Sequence, residues 1–236
     1  MKIIFLDMDG VMNSVQSAMF YNDFKGESSG WFKIYMPDET KDFNSYWSEI
    51  CPMAISNMYQ LLKNHPDIRF VISSTWRKGR SVEWFNKLFK HIGMISEDLV
   101  IDKTPVMSGY DRGDEIKYWL DNDGKDLDIE NFAILDDDSD MSVFLGTHHF
   151  IETDSRVGFS YRKMEEVDKL FAGFNIEYKD LKPGVRYKMF DKPRKTTYFL
   201  DKDTGKMFYF NKDGEKEDNV FFYDEYTLFA EVKDED

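Results

Sequence analysis

The stretch Lys2-Ile3-Ile4-Phe5-Leu6-Asp7-Met8-Asp9-Gly10-Val11 decides how this chain is to be read. Its apolar residues run together instead of alternating, as in a strand covered on both faces, and the run stops at two carboxylates and a glycine. Similar runs recur downstream. Ile68-Arg69-Phe70-Val71-Ile72 ends at Ser73, Leu99-Val100-Ile101 and Phe132-Ala133-Ile134-Leu135 precede Asp102 and Asp136, and His149-Phe150-Ile151 is a fifth candidate. Between them lie helical patterns. Ile55, Met58, Tyr59 and Leu62 follow the i, i+3, i+4, i+7 spacing up to Pro66, and Val82 to Phe89 and Ile116 to Leu120 supply further apolar faces. A last helix, with Met164, Val167, Leu170 and Phe171 on one side, closes the series near Gly173. Strands alternating with helices specify an α/β fold, a parallel sheet wound by right-handed crossovers with helices on both faces.

Two regions break the alternation. Residues 12 to 50 carry Phe20, Tyr21, Trp31, Phe32, Tyr35, Tyr46 and Trp47 among Gly, Ser, Asp and Asn, which reads as an insertion after the first strand with its own aromatic cluster. Residues 176 to 236 alternate aromatic and charged side chains, with Tyr187 to Phe190, Thr196 to Leu200, Met207 to Phe210 and Val220 to Tyr223 as strand candidates. Asp203-Thr204-Gly205 and Lys212-Asp213-Gly214 supply turn chemistry between them, so a small antiparallel β module is expected. The organisation expected is an α/β domain over residues 1–175, its insertion at about 12–50, and a β-rich module over 176–236.

Composition bounds the possibilities. In 236 residues, 42% hydrophobic and 17% aromatic content supplies a core and excludes a disordered chain. No run of about 18 apolar residues occurs, and the start passes directly into a strand pattern, so a soluble, cytoplasmic protein without membrane association is expected. The single Cys51 allows no internal disulfide and no thiolate metal site, and reads as core filler. A net charge of −14 repels polyanions at long range. Residues 1 to 175 hold 19 basic and 30 acidic residues, net −11, and the remainder 12 and 15, net −3.

Ligands of open parallel sheets collect beyond the carboxyl ends of the strands. Those ends here are Asp7-Met8-Asp9-Gly10, Ser73-Ser74-Thr75-Trp76-Arg77 and Asp136-Asp137-Asp138-Ser139-Asp140. Carboxylates brought together from two strand ends repel one another unless a cation lies between them. A hard, oxygen-rich site suits Mg²⁺, which shares its coordination with substrate phosphate, and hydroxyls at a third strand end suit phosphate oxygens. Phosphoryl transfer is the chemistry implied.

These motifs, in this order, resemble those of the haloacid dehalogenase-like (HAD) superfamily. More narrowly, Phe5 to Asn13, Ile72 to Arg77, Thr104-Pro105, Arg112 to Ile116 with Trp119-Leu120, and Ile134 to Asp138 are similar to the HAD domain described with Swiss Army Knife RNA-repair proteins. The resemblance covers roughly residues 1 to 173. It implies a Rossmann-like sheet with a cap inserted after the first strand, and a phosphomonoesterase that forms an aspartyl-phosphate.

By that resemblance Asp7 is the nucleophile, and Asp9 is the general acid, then base, with its main-chain carbonyl on the metal. Gly10 allows the sharp turn and is expected among the phosphate-binding residues, and Ser73 donates to phosphoryl oxygens, with Ser74 as second contact or alternative. Ser74 and Thr75 read equally as helix caps, and Arg77 as a phosphate contact or a solvated helix residue. Arg112 is the expected cation, ahead of Lys103 and Lys117, and Asp137 is the metal ligand of the fourth motif beside Asp136. Asp138 and Asp140 leave that register open. Asp121 to Gly124 and Asp201 to Gly205 resemble calcium loops but lack the terminal Glu, so turns are expected there. The substrate expected is a nucleotide-type phosphate, either a free nucleoside monophosphate or a phosphorylated nucleic-acid end. Residues 179 to 195 carry seven basic and two acidic residues, with Tyr187 and Phe190 interleaved, a place where a strand could be tracked or simply a solvated surface. Other readings are a module whose β tail recruits a protein partner of unknown kind, and a phosphoserine or phosphotyrosine phosphatase.

Overall fold

The computed structural model describes residues 1–24, 50–94, 98–173, 176–177, 181–183, 185–189, 197–210, 215–218 and 228–231. Trp31, Phe32, Tyr35, Tyr46, Trp47, Lys179, Lys192, Arg194, Lys195, the turn at 212–214 and the strand candidate at 220–223 lie outside them. Two compact units divide the chain, Met1–Val167 and Asp168–Asp236.

In the first unit five strands form one parallel sheet in the order β3-β2-β1-β4-β5. They are β1 (Lys2–Leu6), β2 (Ile68–Ile72), β3 (Val100–Lys103), β4 (Asn131–Asp136) and β5 (Phe150–Glu152). The β1 run is continuous because β1 lies centrally between β2 and β4, and Ile3, Ile4, Phe5 and Leu6 have no solvent exposure. Alternation sends Ile3 and Phe5 to one face and Ile4 and Leu6 to the other. The chain steps from β1 outward to β3 on one side, then crosses back to β4 on the other. The switch point therefore lies at the carboxyl ends of β1 and β4, where sheets of this kind form their crevice.

The helices of this unit are α1 (Val15–Phe24), α2 (Pro52–Asn64), α3 (Val82–His91) and α4 (Arg112–Asp121), and α5 (Tyr161–Phe171) runs across the boundary between the units. On one face of the sheet, Ile116 and Trp119 of α4 pack with Ile3, Phe5, Val71, Ile134 and Met141. Phe5 meets the Trp119 ring edge-on at 5.4 Å. Burying each of these large side chains is worth about 1.5–3 kcal/mol, so α4 and the residue at its head are fixed firmly to β1. The buried face of α2 is Ala54, Asn57, Met58 and Leu61, rotated from the expected one, and Tyr59 is exposed. Small Ala54, and Asn57 donating to the Phe159 carbonyl, make a buried face that an apolar count does not weigh. On α5, Met164, Val167, Leu170 and Phe171 are buried as their spacing predicts. Strand β3 starts one residue later than its apolar run and continues through Asp102, because a bulge opposite Phe70 and Val71 shifts its register. Asp102 is held within the fold by the Trp119 indole N–H at 2.7 Å.

The insertion begins beside β1 and is closed at its base by an antiparallel bridge between Asn13 and Ile50, with the Cys51 N–H donating to the Met12 carbonyl at 2.7 Å. Cys51 is buried. Phe20 and Tyr21 lie on α1, which starts with a reciprocal cap. Ser14 Oγ accepts from the Ser17 N–H at 3.2 Å, and Ser17 Oγ accepts from the Ser14 N–H at 3.0 Å.

The second unit is a six-stranded antiparallel sheet in the order β10-β9-β8-β7-β11-β6. Its strands are β6 (Ile176–Glu177), β7 (Arg186–Met189), β8 (Tyr198–Leu200), β9 (Met207–Phe210), β10 (Lys216–Asp218) and β11 (Leu228–Glu231). Leu181, Tyr187, Tyr198, Met207 and Phe229 form its core. Tyr187 is therefore packing and offers no ring to a nucleobase, and its hydroxyl accepts from the Lys182 N–H at 2.9 Å. Asp201 closes the β8–β9 hairpin by accepting from the N–H groups of Asp203 and Thr204, a turn as expected. Strand β10, Lys-Glu-Asp, has no apolar residue to announce it, and it forms a charged sheet edge of the kind that resists edge-to-edge association.

Candidate active site

Hydrogen bonding of the parallel sheet continues one residue beyond its strands. Asp7 donates its N–H to the Leu135 carbonyl at 3.0 Å, Ser73 to Leu6 at 3.1 Å, and Thr153 to Asp136 at 2.9 Å. The register thus carries on past the strand ends and sets Ser73 and Asp136 on either side of Asp7 at the carboxyl edge of the sheet.

Asp7 is 6% exposed and Asp136 is fully buried. Ligand oxygens of Asp7, Asp136 and Asp137 all lie within 4.8 Å of one another. Arg112 binds two of the three through one nitrogen, with Nη1 3.1 Å from Asp7 Oδ1 and 2.9 Å from Asp136 Oδ2. As the first residue of α4 this cation faces the positive end of a helix dipole, a cost of about 0.3–1 kcal/mol. Charge-assisted hydrogen bonds, worth about 1.5–3 kcal/mol each, outweigh it. Gly113 lets the helix approach, since a Cβ there would stand 2.9 Å from the Met141 backbone.

Burial first, and then the charge of Asp7, raise the Asp136 carboxyl to about 7, against the opposing pull of Arg112. Asp137 is raised by the same two causes in the same order. Burial works against the Arg112 charge, but Asp136, Asp7 and Asp140 together hold its pKa above the ordinary value. One guanidinium does not compensate this group of carboxylates. Hard oxygen donors with excess negative charge suit a small divalent cation such as Mg²⁺. Asp138 is exposed and its N–H donates to Asp136 Oδ1 at 3.0 Å, while Asp140 Oδ1 lies 4.0 Å from Arg112 Nε. Asp136 and Asp137 are thus the members of the acidic loop that gather with Asp7.

Asp9 stands at the exposed rim. Its Oδ2 accepts from Trp76 Nε1 at 2.9 Å and its Oδ1 from Asn13 Nδ2 at 2.8 Å. The Gly10 N–H, expected at the phosphate, is instead taken by Asn13 Oδ1 at 3.0 Å, and φ at Gly10 is +72°. A Cβ at this position would fall 2.2 Å from the Asp137 carboxylate, so Gly10 makes room for the acidic loop as well as the turn.

The two serines separate clearly. Ser73 is buried and its hydroxyl has no hydrogen-bond partner, an orphan group at the strand end that lies beside Asp7 in the sheet. Ser74 Oγ caps the short 3-10 turn Thr75–Arg77 by accepting from the Trp76 N–H at 3.3 Å. Arg77 takes neither of the parts expected of it. It is buried and donates to the carbonyls of Ser73 (2.5 Å), Ser74 (2.8 Å), Thr104 (3.0 Å) and Pro105 (3.2 Å) and to Glu115 Oε2 at 2.5 Å. Burial lowers its pKa, with Glu115 opposing. Lys103 is occupied by the Arg80 carbonyl at 2.5 Å and Lys117 by Asp121 at 2.8 Å, which leaves Arg112 as the cation at Asp7. His149 stacks on Phe132 at 4.1 Å with Nδ1 2.8 Å from the Phe132 carbonyl, a structural place.

Sequence reasoning assigned no part to Trp76, Asn13 or Glu115. Their contacts join residues 67, 4 and 38 positions apart, and only the middle one is a local pattern that spacing could reveal.

The sequence profile of one family, described as the HAD domain in Swiss Army Knife RNA repair proteins, matches residues 3–164. Among solved structures the chain is similar to the HAD domain of the effector protein Lem4 from Legionella pneumophila, with 18% identity and a TM-score of 0.41 over 72% of this chain and 94% of that one. No curated protein matches.

Proposed function

This chain belongs to the family of HAD domains in Swiss Army Knife RNA repair proteins, a branch of a superfamily of phosphatase-type hydrolases, and from that premise we propose that it is a Mg²⁺-dependent phosphomonoesterase acting on phosphorylated nucleic-acid ends. The observation that carries the reading is Arg112 bridging Asp7 and Asp136, with the unpartnered hydroxyl of Ser73 at the end of the neighbouring strand β2.

In the first step a carboxylate oxygen of Asp7 attacks phosphorus, the phosphorus–oxygen bond to the leaving group breaks, and Asp9 gives its proton to the departing oxygen. In the second, a water oxygen attacks phosphorus, Asp9 takes the proton, and the bond to Asp7 breaks to release phosphate. Ser73 and Arg112 donate to the equatorial oxygens as charge spreads over them. A divalent cation held by Asp7, Asp137, Asp136 and the main-chain carbonyl of Asp9 would neutralise the same charge. No helix among the described residues is long and apolar enough to cross a membrane.

The test is phosphate release with Mg²⁺ from 3′- and 5′-phosphorylated oligonucleotides beside 3′- and 5′-nucleoside monophosphates, with Asp7→Asn as control. Release mainly from oligonucleotide ends, lost in the variant, is expected. The net charge of −14 favours a second reading, free mononucleotides, and release from those alone would establish it.

A further inference from the structure

Asp9 presents an unusual combination for a proton donor: it is exposed, yet each of its oxygens is engaged by a donor from a different segment. Asn13 lies four residues on, in the same loop, whereas Trp76 belongs to the turn after β2 that also carries Ser73. Trp76 is itself nearly buried, 9% exposed, with its ring edge-on to Trp84 at 6.5 Å and the Arg80 guanidinium over it at 5.2 Å. The Arg80 side chain bonds back to the Trp76 carbonyl at 3.0 Å. The indole therefore has little freedom, and its N–H direction is set by packing.

We infer that Trp76 is a positioning residue for the general acid: its indole N–H fixes the carboxyl of Asp9 relative to the phosphate-binding turn, so that the proton is delivered to the leaving oxygen. An indole N–H only donates. It occupies one lone pair of Oδ2 and holds the carboxyl plane, leaving the remaining lone pairs to carry the proton. Asn13 constrains the other oxygen from within the loop, whereas among the described residues Trp76 is the one that ties Asp9 to the turn after β2 that carries Ser73. A misplaced acid costs rate in proportion to how much the leaving oxygen needs a proton. A sugar alkoxide needs it greatly, and p-nitrophenolate hardly at all.

The inference rests on the proposed phosphatase activity and separates from it experimentally. Trp76→Phe keeps the ring and removes the donor. The expected result is a fall of about tenfold or more in kcat/KM, which reports the step that expels the leaving group, on a sugar phosphate ester (a 3′-phosphorylated oligonucleotide), with less than about threefold on p-nitrophenyl phosphate. On the sugar ester, adding Trp76→Phe to Asp9→Asn should cost nothing further, because the indole acts only through the carboxyl. Equal losses on both esters, no loss on either, or full additivity with Asp9→Asn would overturn the inference. If the unaltered protein hydrolyses neither ester, the phosphatase reading fails and the contact is judged by NMR instead. The Trp76 Nε1–H should be protected from solvent exchange and lose that protection in Asp9→Ala, and an unchanged resonance would reject it.

Discussion

A buried hydroxyl without a hydrogen-bond partner destabilises the fold it sits in, and the Ser73 hydroxyl is such a group. Removing it should therefore leave stability nearly untouched, within about 1 kcal/mol, while weakening the grip on a phosphoryl group. Ser73→Ala is expected to melt like the parent and to lose about tenfold or more in kcat/KM for any phosphate ester, measured by thermal unfolding and phosphate release. Asp136 offers the converse case. Its folded pKa of about 7 lies above the ordinary carboxylate value near 4. Without metal the folded chain thus binds more protons than the unfolded one between those values, and this residue's contribution to stability declines as pH rises through that window. Asp136→Asn removes the effect. Relative to that variant, the metal-free parent should lose melting temperature between about pH 4 and pH 7. Mg²⁺ should raise the parent's melting temperature more at the higher pH, since protons compete for the same oxygens. A difference that grows with pH in metal-free buffer would contradict this account of the cluster.

At the scale of elements, Arg77 and Glu115 connect the turn after β2 to α4, the helix that presents Arg112. Both side chains are buried, and Glu115 Oε1 also accepts from the Met107 N–H at 2.7 Å. Breaking such a pair from one side leaves a charge without compensation. Glu115→Gln is expected to lower unfolding free energy by about 3–5 kcal/mol, read by urea titration, and to impair turnover through displacement of Ser73 and Arg112. Arg77 also shows where the sequence stops being informative. The strands were legible because apolar runs of strand length, each ended by an acidic or hydroxyl residue, have few other readings. The gathering of Asp7, Ser73 and Asp136 into one candidate site was legible for the same reason, since they are the residues following or ending those runs. The Arg77 pair and the rotated face of α2 were not, because each depends on a neighbour distant in sequence, and β10 was not because it carries no apolar residue, although its partner β9 is close by. An arginine three residues after a serine-rich strand end looks the same whether it turns outward to phosphate or inward to five acceptors. Its environment decides, and that environment is built by Thr104, Pro105 and Glu115.

On the scale of the whole molecule, charge distribution separates the two substrate readings. Residues 1 to 175 carry −11 and the remainder −3, so the protein as a whole repels a polyanion, yet residues 179 to 195 hold a local excess of five positive charges. Arg186 and Lys188 alternate with the buried Tyr187 on β7, which sets both on the face of that strand opposite its core side chain. If a strand of nucleic acid is tracked by these groups, its binding releases counterions and depends steeply on salt, with a slope of about −0.7 per phosphate neutralised. A mononucleotide, bound by Asp7, Ser73, Arg112 and a cation, has no such dependence beyond ordinary screening. The kcat/KM for a 3′-phosphorylated oligonucleotide should therefore fall by about tenfold or more between 50 and 200 mM KCl, roughly what two or three neutralised phosphates imply. The corresponding mononucleotide should change by less than about threefold. The triple substitution Lys182→Glu, Arg186→Glu, Lys188→Glu is expected to lower the oligonucleotide's turnover at low salt and flatten its slope while sparing the mononucleotide. Equal slopes for the two substrates, unaffected by the charge reversal, would confine recognition to the crevice of the parallel sheet and make the basic stretch a solvated surface.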